Sequence, residues 1–526
     1  MPNLKVNATA MDQIPIMVTD VRDVYETGKS HSVEYRKQQL HALYDFFVKE
    51  KEGILDALYK DLRKPYVEGY ITEIAAVKND IVTAIKELDE WMEPVTASRP
   101  LAFLLDRAET RHVPLGVVLI IGTWNYPVNL SLAPLVGAIA GGNGAIIKFS
   151  EVCVHISNFL AKTLPNYLDN TMFKFVNGEI PETTVLLEQR FDLIFYTGNS
   201  MVARIIMKAA IKYMTPTVLE LGGKSPVIVD ESSDPKIAAK RVMWGKTLNA
   251  GQTCVAPDYV LVHKKVAKEF IGELQAVTNE LLGTEDHAIS SEYARIGSER
   301  HCERLASMVD KQLKVPGTKL LFGGKSDIKD RYMSPTVLVG VGKDPSKNPV
   351  MESEIFGPIL PVIEVDSIEE ALEYVKTRST PLAYYPFSKN SASIEKMLSG
   401  VNGGNATVNG TMINLLIDDL PFGGVGESGM GSYHGKHGFE TFTRKRSTVI
   451  RTQWTDLLHY PSYQNVGFKK GSWGSVLVGL TVETPMPSSI TLSIRHWFHK
   501  MGILLTLLQY FVIICVSMYI GSRIGR

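Results

Sequence analysis

Short apolar segments alternate with helical segments through most of this chain, and this alternation constrains the fold more than any other feature. Apolar strands such as GVVLII, GAIIK, DLIFYT and SPVIV are separated by helical stretches such as NSMVARIIMKAAIKYM. Strands that alternate with helices form a mainly parallel sheet, because each helix carries the chain back to the start of the next strand. The pattern recurs after Cys254, which predicts an α/β fold with a second α/β domain.

Composition bounds the class of protein. The 526 residues suggest two or three structural units, and residues 18–91 indicate two or three amphipathic helices. Lys+Arg and Asp+Glu both number 56, so no charge bias favours a nucleic-acid partner. The four cysteines are too few and too scattered for a disulfide scaffold or a CxxC metal site, and we expect no bound metal. The first residues contain no secretory signal pattern.

An uncharged, mostly apolar block occupies residues 502–521 near the C-terminus. It is long enough to cross a hydrocarbon core as a helix, and it is flanked by Arg495, Lys500, Arg523 and Arg526. The block is therefore predicted to be a transmembrane tail anchor, with the body of the chain facing the cytosol. The alternative is a buried core helix or a dimer-forming helix.

Three polar residues stand at positions where strands meet turns. Cys254 follows a glycine-containing turn in NAGQTCVAPDY, which can expose its sulfur and aim a backbone N–H at an adjacent oxyanion. Glu220 ends the apolar run of PTVLELGG, and Asn125 follows a strand in GTWNYP. Taken singly, each has an ordinary structural explanation: a buried small hydrophobe, a capping or surface carboxylate, and a turn residue.

Taken together, the motifs carry a resemblance. The order WNYP, KFSE, YTGN, LELGGKSP, GQTC, EIFGP and LPFGGVGESGMG resembles the aldehyde dehydrogenase superfamily over residues 20–450. The spacing of Glu220 and Cys254 (254 − 220 = 34) fits the same pattern. The stretch GMGSYHGKHGFETFTRKRS is similar to the class 3 branch, and the apolar C-terminal block is similar to that of its membrane-bound members, which act on fatty aldehydes.

The resemblance implies an aldehyde dehydrogenase-like α/β architecture with a C-terminal transmembrane helix. A Rossmann-type cofactor domain and a catalytic domain would be joined by a small β extension that builds a homodimer. The expected ranges are 1–99 and 112–222 for the cofactor domain, 223–423 for the catalytic domain, 100–111 and 424–453 for the extension, 454–500 for an interfacial arm and 502–521 for the anchor. The endoplasmic reticulum is the expected membrane, with the outer mitochondrial and peroxisomal membranes as alternatives.

The resemblance also assigns roles to residues. Cys254 would be the nucleophile, Asn125 with the Cys254 backbone N–H would bind the oxyanion, and Glu220 would be the general base. The expected cofactor is NAD, with NADP possible, because Glu151 near the adenosine ribose disfavours a 2′-phosphate. The residues expected to bind the cofactor are Lys148, Glu151, Gly198, Asn199, Ser200, Met201, Val202, Ala203, Glu354 and Phe356.

Two positions depart from the family pattern beside the adenosine half of the cofactor. Phe149 stands where the family often has Pro, and Ala203 where it often has Gly. We therefore expect an altered affinity for the cofactor or an altered pose.

The expected substrate is a long-chain aldehyde that partitions into the bilayer. An apolar funnel is predicted from Trp124, Tyr126, Ile413, Leu415, Leu416 and Leu420. Two other functions remain open at this point: a CoA-acylating dehydrogenase, and an inactive membrane-tethered scaffold with the same fold.

Overall fold

The computed structural model describes residues 5–100, 103, 105–284, 287–451 and 453. By their contacts these residues form two compact units. The larger unit contains the described residues of Met1–Glu93 and Arg111–Arg446, and the smaller one those of Pro94–Thr110 and Ser447–Arg526. The domain boundaries expected from the sequence stay predictions.

The described residues contain α-helices and strands in the following order. The helices are α1 Gln13–Glu26, α2 Val33–Lys49, α3 Lys51–Leu62, α4 Tyr66–Gly69, α5 Ala76–Met92, α6 Asn129–Ala140, α7 Val154–Thr163, α8 Ile180–Leu187, α9 Ser200–Ala210, α10 Pro235–Thr247, α11 Lys264–Leu282, α12 Glu299–Leu313, α13 Pro349–Glu352, α14 Ile368–Lys376, α15 Ser391–Gly400 and α16 Gly435–Thr441. The strands are β1 Val95–Thr96, β2 Arg107–Pro114, β3 Val117–Ile121, β4 Gly144–Lys148, β5 Phe173–Val176, β6 Leu193–Thr197, β7 Thr217–Glu220, β8 Pro226–Val229, β9 Tyr259–His263, β10 Lys319–Phe322, β11 Ser326–Asp327, β12 Tyr332–Met333, β13 Thr336–Val339, β14 Ile359–Val365, β15 Ala383–Phe387, β16 Asn405–Ala406, β17 Gly429–Met430 and β18 Thr443–Ile450.

The N-terminal region is more segmented than expected. It folds as α1 to α5 with a π-helical turn over Tyr70–Ala75, where two or three helices were predicted. Gly28 and Arg63 interrupt the helical pattern, because both adopt a positive φ, of 80° and 47°. Pro65, two residues after Arg63, is the N-cap residue of α4, and it disfavours a helical conformation for Lys64 before it. The apolar periodicity indicated helices correctly but did not reveal these breaks.

The first sheet has the order β17-β7-β6-β3-β4-β5 and is parallel except for β17. Its central strands β3, β4 and β6 are buried along their whole length, as expected for a parallel sheet covered by helices on both faces. In this sheet Ile120 lies opposite Ile147 and Phe195. The strands predicted from the apolar runs are confirmed.

The second sheet has the order β10-β13-β14-β9-β8-β15-β16, and β10 at its edge is antiparallel. It joins the strands that recur after Cys254 with β8, which precedes Cys254. A further sheet of order β1-β2-β18 includes the antiparallel pairing of Val95 with Thr110.

Within the described part of the chain, none of the helices combines the length and the apolar character that crossing a bilayer requires. The predicted anchor at 502–521 and the predicted arm at 454–500 both lie outside the described residues.

Candidate active site

A strained turn presents the Cys254 thiol. The 3₁₀ turn Leu248–Gly251 follows α10, and Asn249, Ala250 and Gly251 have φ values of 52°, 51° and 73°. Gly251 is required in this turn, because a Cβ there would lie 2.3 Å from the carbonyl oxygen of Gly357. Cys254 is half-buried three residues after the turn. Three consecutive left-handed residues of this kind are typical of functional sites.

The Asn125 side chain is buried beside this turn. Its Nδ2 donates to the carbonyl oxygen of Gln252 at 3.0 Å. The backbone carbonyl oxygen of Asn125 accepts from Lys64 Nζ at 3.0 Å and from Asn249 Nδ2 at 2.9 Å. Because an amide nitrogen carries two hydrogens, one N–H of Asn125 remains for another acceptor. Asn125 and Cys254 line the same cavity.

The thiol of Cys254 lies in an environment that favours its neutral form. Burial raises the pKa of Cys254 well above its ordinary value, and the negative charges of Glu354 and Glu220 raise it further. The backbone N–H groups of Cys254 and Val255 hydrogen-bond to the sulfur and act in the opposite direction. The N–H of Val255 was not foreseen from the sequence.

Glu220 occupies the end of β7 between two strands. It lies opposite Thr197 of β6 and Gly429 of β17. Its side chain is buried, and neither carboxylate oxygen has a hydrogen-bond partner among the described residues. Burial raises the pKa of Glu220 well above its ordinary value. A buried carboxyl group without a partner is costly, so a ligand or water is expected to supply one.

A cavity of about 580 Å³ extends from Cys254 along the carboxyl ends of the first sheet. It contains most of the residues predicted to bind the cofactor. Those that line it are Lys148, Glu151, Gly198, Asn199, Met201, Val202, Glu354 and Phe356, together with Asn125 and Glu220. Ser200 and Ala203 do not line this cavity. Both belong to α9, where Ser200 is exposed and Ala203 is buried.

The two departures from the family pattern are both core residues in this structure. Phe149 is fully buried and stacks on Phe175, with ring centroids 6.0 Å apart. Ala203 lies on the buried face of α9 and packs in the hydrophobic core. Neither side chain lines the cavity, and the predicted change in cofactor affinity stays a prediction.

Glu354 and Phe356 form another part of the lining of this cavity. Burial and the nearby charge of Asp258 raise the pKa of Glu354 to about 8, while a hydrogen bond from the backbone N–H of Gly223 lowers it. The Glu354 carboxylate packs against Gly222, where a Cβ would lie 2.1 Å from it. Phe356 has a φ of 49°, and its ring meets that of Trp124 edge-on at 5.5 Å.

A second cavity, of about 300 Å³, is also lined by Cys254. Tyr126, Leu415 and Leu416 of the predicted funnel line it, whereas Trp124 lines the larger cavity. Ile413 and Leu420 line neither of the two cavities. Sequence reasoning missed much of the wall, including Val67, Glu68, Ile71, Asp80, Trp244, Met412, Asp418 and His434.

A buried ion pair supports the Asn125 segment. Lys64 Nζ lies 2.6 Å from Glu73 Oε1, and both side chains are inaccessible to solvent. Glu73 Oε2 accepts from the backbone N–H groups of Val128 and Asn129, at 3.1 and 2.9 Å, where α6 begins. Lys64 Nζ also lies 4.0 Å from the ring centroid of Tyr126. The pair was not foreseen, because charged residues in amphipathic helices are usually solvated.

A family model described as the aldehyde dehydrogenase family matches residues 3–448. The chain belongs to the aldehyde dehydrogenase family. It is therefore an NAD(P)-dependent aldehyde dehydrogenase, and the resemblance drawn from its motifs is confirmed.

Named relatives agree with the class 3 prediction. This aldehyde dehydrogenase is 42% identical over 453 residues to "Aldehyde dehydrogenase, dimeric NADP-preferring" of Rattus norvegicus, covering 86% of this chain and 98% of the relative. It is 41% identical over 460 residues to "Aldehyde dehydrogenase family 3 member A2" of Pongo abelii, covering 87% and 92%. A solved structure, the substrate-bound state of Staphylococcus aureus AldH, matches with a TM-score of 0.82 and 37% identity, covering 87% of this chain and 98% of that one.

The residues of the larger cavity fit the nicotinamide dinucleotide that the family uses. Thr197 Oγ1 is buried without a hydrogen-bond partner in the described structure, as are both oxygens of Glu220. Both residues line this cavity, whose floor includes the start of α9, where Asn199 caps the backbone N–H of Val202 at 2.9 Å. A helix N-terminus suits a pyrophosphate, and carboxylates such as Glu354 suit ribose hydroxyls.

Proposed function

We propose that this aldehyde dehydrogenase oxidises long-chain aliphatic aldehydes to carboxylic acids, with NAD preferred and NADP accepted. One observation carries the proposal: Cys254 lines both cavities. The larger cavity has the carboxylates and the helix N-terminus that a dinucleotide needs, and the smaller one has a largely apolar wall. A nucleophile between these two compartments can meet an aldehyde on one side and an electron acceptor on the other.

The cofactor would bind through residues at both ends of the larger cavity. Glu354 and Phe356 would hold the nicotinamide half, and Lys148 and Glu151 the adenosine ribose. Lys148 Nζ and Glu151 Oε2 are 2.8 Å apart, and Glu151 remains partly exposed to the cavity. A carboxylate here favours a free 2′-hydroxyl, whereas the lysine can accept a 2′-phosphate. The relative named as NADP-preferring supports use of both cofactors.

The aliphatic tail would occupy the smaller cavity. Its apolar wall includes Val67, Ile71, Trp244 and Leu416, each more than a third exposed, which supports an opening at this end. Each buried CH₂ group contributes about 0.8 kcal/mol, so longer chains should bind more tightly until the cavity is filled.

In the first chemical step the Cys254 thiol releases its proton to solvent, and the thiolate sulfur attacks the aldehyde carbon. A C–S bond forms, the carbonyl π-bond breaks, and its electron pair becomes an oxyanion held by Asn125 Nδ2 and the Cys254 backbone N–H. Losing one such donor typically slows turnover by about 10²–10³-fold. A positive charge in the larger cavity, as on an oxidised nicotinamide, would favour the ionised forms of Cys254 and Glu220.

The oxyanion electron pair then re-forms the C=O bond while the C–H bond of that carbon breaks, which leaves a thioester on Cys254. A dinucleotide held in the larger cavity would supply the acceptor for that hydrogen and its electron pair. Glu220 then takes a proton from a water molecule, and the water oxygen attacks the thioester carbon. The C–S bond breaks with its electron pair on sulfur, the acid is released, and the sulfur regains the proton that Glu220 holds, which restores the thiol. The unpartnered oxygens of Glu220 support this role, because they are free to bind that water. A water-activating carboxylate also disfavours the CoA-acylating alternative.

Membrane attachment and dimer formation complete the proposal. The uncharged block at 502–521 would anchor the enzyme in the endoplasmic reticulum membrane with its body in the cytosol. The relative named as dimeric supports a homodimer. Extraction of membranes at alkaline pH tests the anchor: the full chain should stay in the pellet, and a chain ending at residue 501 should not.

Kinetics with straight-chain aldehydes of increasing length, using NAD and NADP in parallel, test the activity. We expect kcat/KM to rise with chain length and to be higher with NAD. Free acid should form at the same rate with and without CoA. Values of kcat/KM that stay constant or fall with chain length contradict the long-chain proposal. An acyl-CoA product contradicts hydrolysis by Glu220.

A further inference from the structure

Glu68 connects helix α4 to the turn that precedes the nucleophile. Its Oε1 accepts from the backbone N–H of Asn249 at 3.0 Å. Glu68 also lines the smaller cavity together with Cys254. This carboxylate therefore touches both the wall of the substrate cavity and the strained turn, although more than 180 residues separate it from Asn249 in the chain.

The turn depends on contacts of this kind. Asn249 and Ala250 are non-glycine residues with φ values near 50°, a conformation that is unfavourable for side chains with a Cβ. Such a conformation persists only where the surroundings hold it. The backbone N–H of Asn249 donates to Glu68 Oε1, a side chain from outside the turn, at 3.0 Å.

The same turn also positions the amide that would bind the oxyanion. Asn249 Nδ2 donates to the carbonyl oxygens of Asn125, at 2.9 Å, and Gln252, at 3.2 Å. The Gln252 oxygen accepts in turn from Asn125 Nδ2. Rotation of Asn249 would break both of its side-chain bonds at once and would release Asn125 as well as Cys254.

We infer that Glu68 is a positioning residue for the reaction at Cys254, holding the Asn249–Gly251 turn in the conformation that aligns the thiol with the Asn125 amide. This inference rests on the proposed roles of Cys254 and Asn125. Glu68 contacts the backbone N–H of Asn249 and not the reacting atoms. The acceptor oxygen of Glu68, rather than its charge, is what the turn requires, so an amide at this position is sufficient.

Three substitutions separate this role from a simple wall contact. Glu68→Gln keeps an acceptor oxygen, Glu68→Leu removes it at similar size, and Glu68→Asp withdraws it by one methylene without adding apolar surface. We expect Glu68→Gln to keep kcat within about twofold of wild type. Leu and Asp should lower kcat by about 10- to 100-fold, the range for a small misplacement of reacting groups, with KM for short aldehydes little changed.

A second measurement does not depend on turnover. Hydrogen exchange of the peptide that contains Asn249 should be faster in the Leu and Asp variants and unchanged in the Gln variant, at equal thermal midpoints. Asp56→Asn, an exposed carboxylate-to-amide change on α3, is the matched control.

The inference is overturned if Glu68→Gln is as slow as Glu68→Leu, or if the Leu and Asp variants change only KM. If the Leu variant fails to fold, the Asp variant decides. A wild-type enzyme that oxidises aldehydes without a covalent intermediate on Cys254 contradicts the proposed function instead, and the hydrogen-exchange result still reports on the Glu68 contact.

Discussion

Lys64 forms an ion pair with Glu73 of the π-helical turn, with Nζ and Oε1 2.6 Å apart and both side chains fully buried. Each partner also bonds to the segment that follows β3: Lys64 to the Asn125 oxygen, and Glu73 to the first backbone N–H groups of α6. The pair thus links the N-terminal helices to the proposed oxyanion site.

Lys64→Met should therefore destabilise the fold and slow the reaction together. It leaves Glu73 buried without its cation, and breaking such a pair costs about 3–5 kcal/mol. Chemical denaturation followed by fluorescence measures the change in the free energy of unfolding. The double variant Lys64→Met/Glu73→Gln should recover part of that loss. If the single variant is as stable as wild type, the pair does not hold this segment.

Glu220→Gln should separate the two halves of the reaction. The first turnover should survive as a burst of reduced cofactor equal to the enzyme concentration, while the steady-state rate falls by about 10²–10⁴-fold, because the base for hydrolysis is gone. Rapid-mixing kinetics with an excess of aldehyde measure both phases. A variant that loses the burst and the steady state equally would place Glu220 before the thioester.

The pH dependence of hydrolysis follows from the same carboxyl group. Burial raises the pKa of Glu220, so its ionised form, which acts as the base, is reached at higher pH than for an ordinary carboxyl group. The rate of thioester hydrolysis in wild type should thus still rise with pH above the range in which an ordinary glutamate titrates, and the Gln variant should lack this increase. The rate at which the acyl-enzyme decays in single-turnover experiments, measured as a function of pH, tests this prediction.

Glu354→Gln should make the Cys254 thiol more reactive, but only at alkaline pH. The charge of Glu354 raises the pKa of Cys254, and the pKa of Glu354 itself is about 8. Below pH 7 the carboxyl group is neutral, and the variant should match wild type. At pH 9 it should react with iodoacetamide about 3- to 10-fold faster in the absence of cofactor. Mass spectrometry of the Cys254 peptide separates this signal from that of buried Cys153 and Cys302.

Asp80→Asn should alter how stability depends on pH. Burial raises the pKa of Asp80 to about 7, above its ordinary value of 3.8. The folded state therefore keeps a proton that the unfolded state loses, and the stability that Asp80 contributes below pH 4 is lost as the pH rises to 7. The Asn variant keeps the oxygen that accepts from the backbone N–H of Gly435. Its stability relative to wild type should increase over that range, by roughly 4 kcal/mol at most, in denaturation experiments at pH 4 to 8. A constant difference would contradict the buried proton.

Local sequence was sufficient for the parts of the molecule whose structure is decided locally. The apolar runs predicted β3, β4, β6 to β9 and the helices between them, and the glycine-containing stretch before Cys254 predicted a turn. Strands buried on both faces have continuous apolar sequences, and such sequences between turn residues fit few structures other than strands of a parallel sheet.

The wall of the smaller cavity was beyond such reasoning. Val67 and Ile71 have the i, i+4 spacing of an apolar helix face, but nothing in that spacing says what the face covers. Glu68 and Glu73 looked like solvated charges because their partners, Asn249 and Lys64, are set by tertiary packing. Ala203 differs from the family pattern, and the sequence predicted that it lies beside the cofactor. In the structure its methyl group packs in the hydrophobic core.

The separation of the two cavities has a consequence for divergence. Among the described residues, only Cys254 and Leu130 line both. Under the proposed assignment of the two cavities, substitutions at Val67 and around Leu416 would change which aldehydes are admitted without touching the larger cavity. Changes near Glu151 would alter the choice of cofactor without touching the smaller one. A lineage built on this arrangement can vary its two selectivities independently, and a designer can do the same.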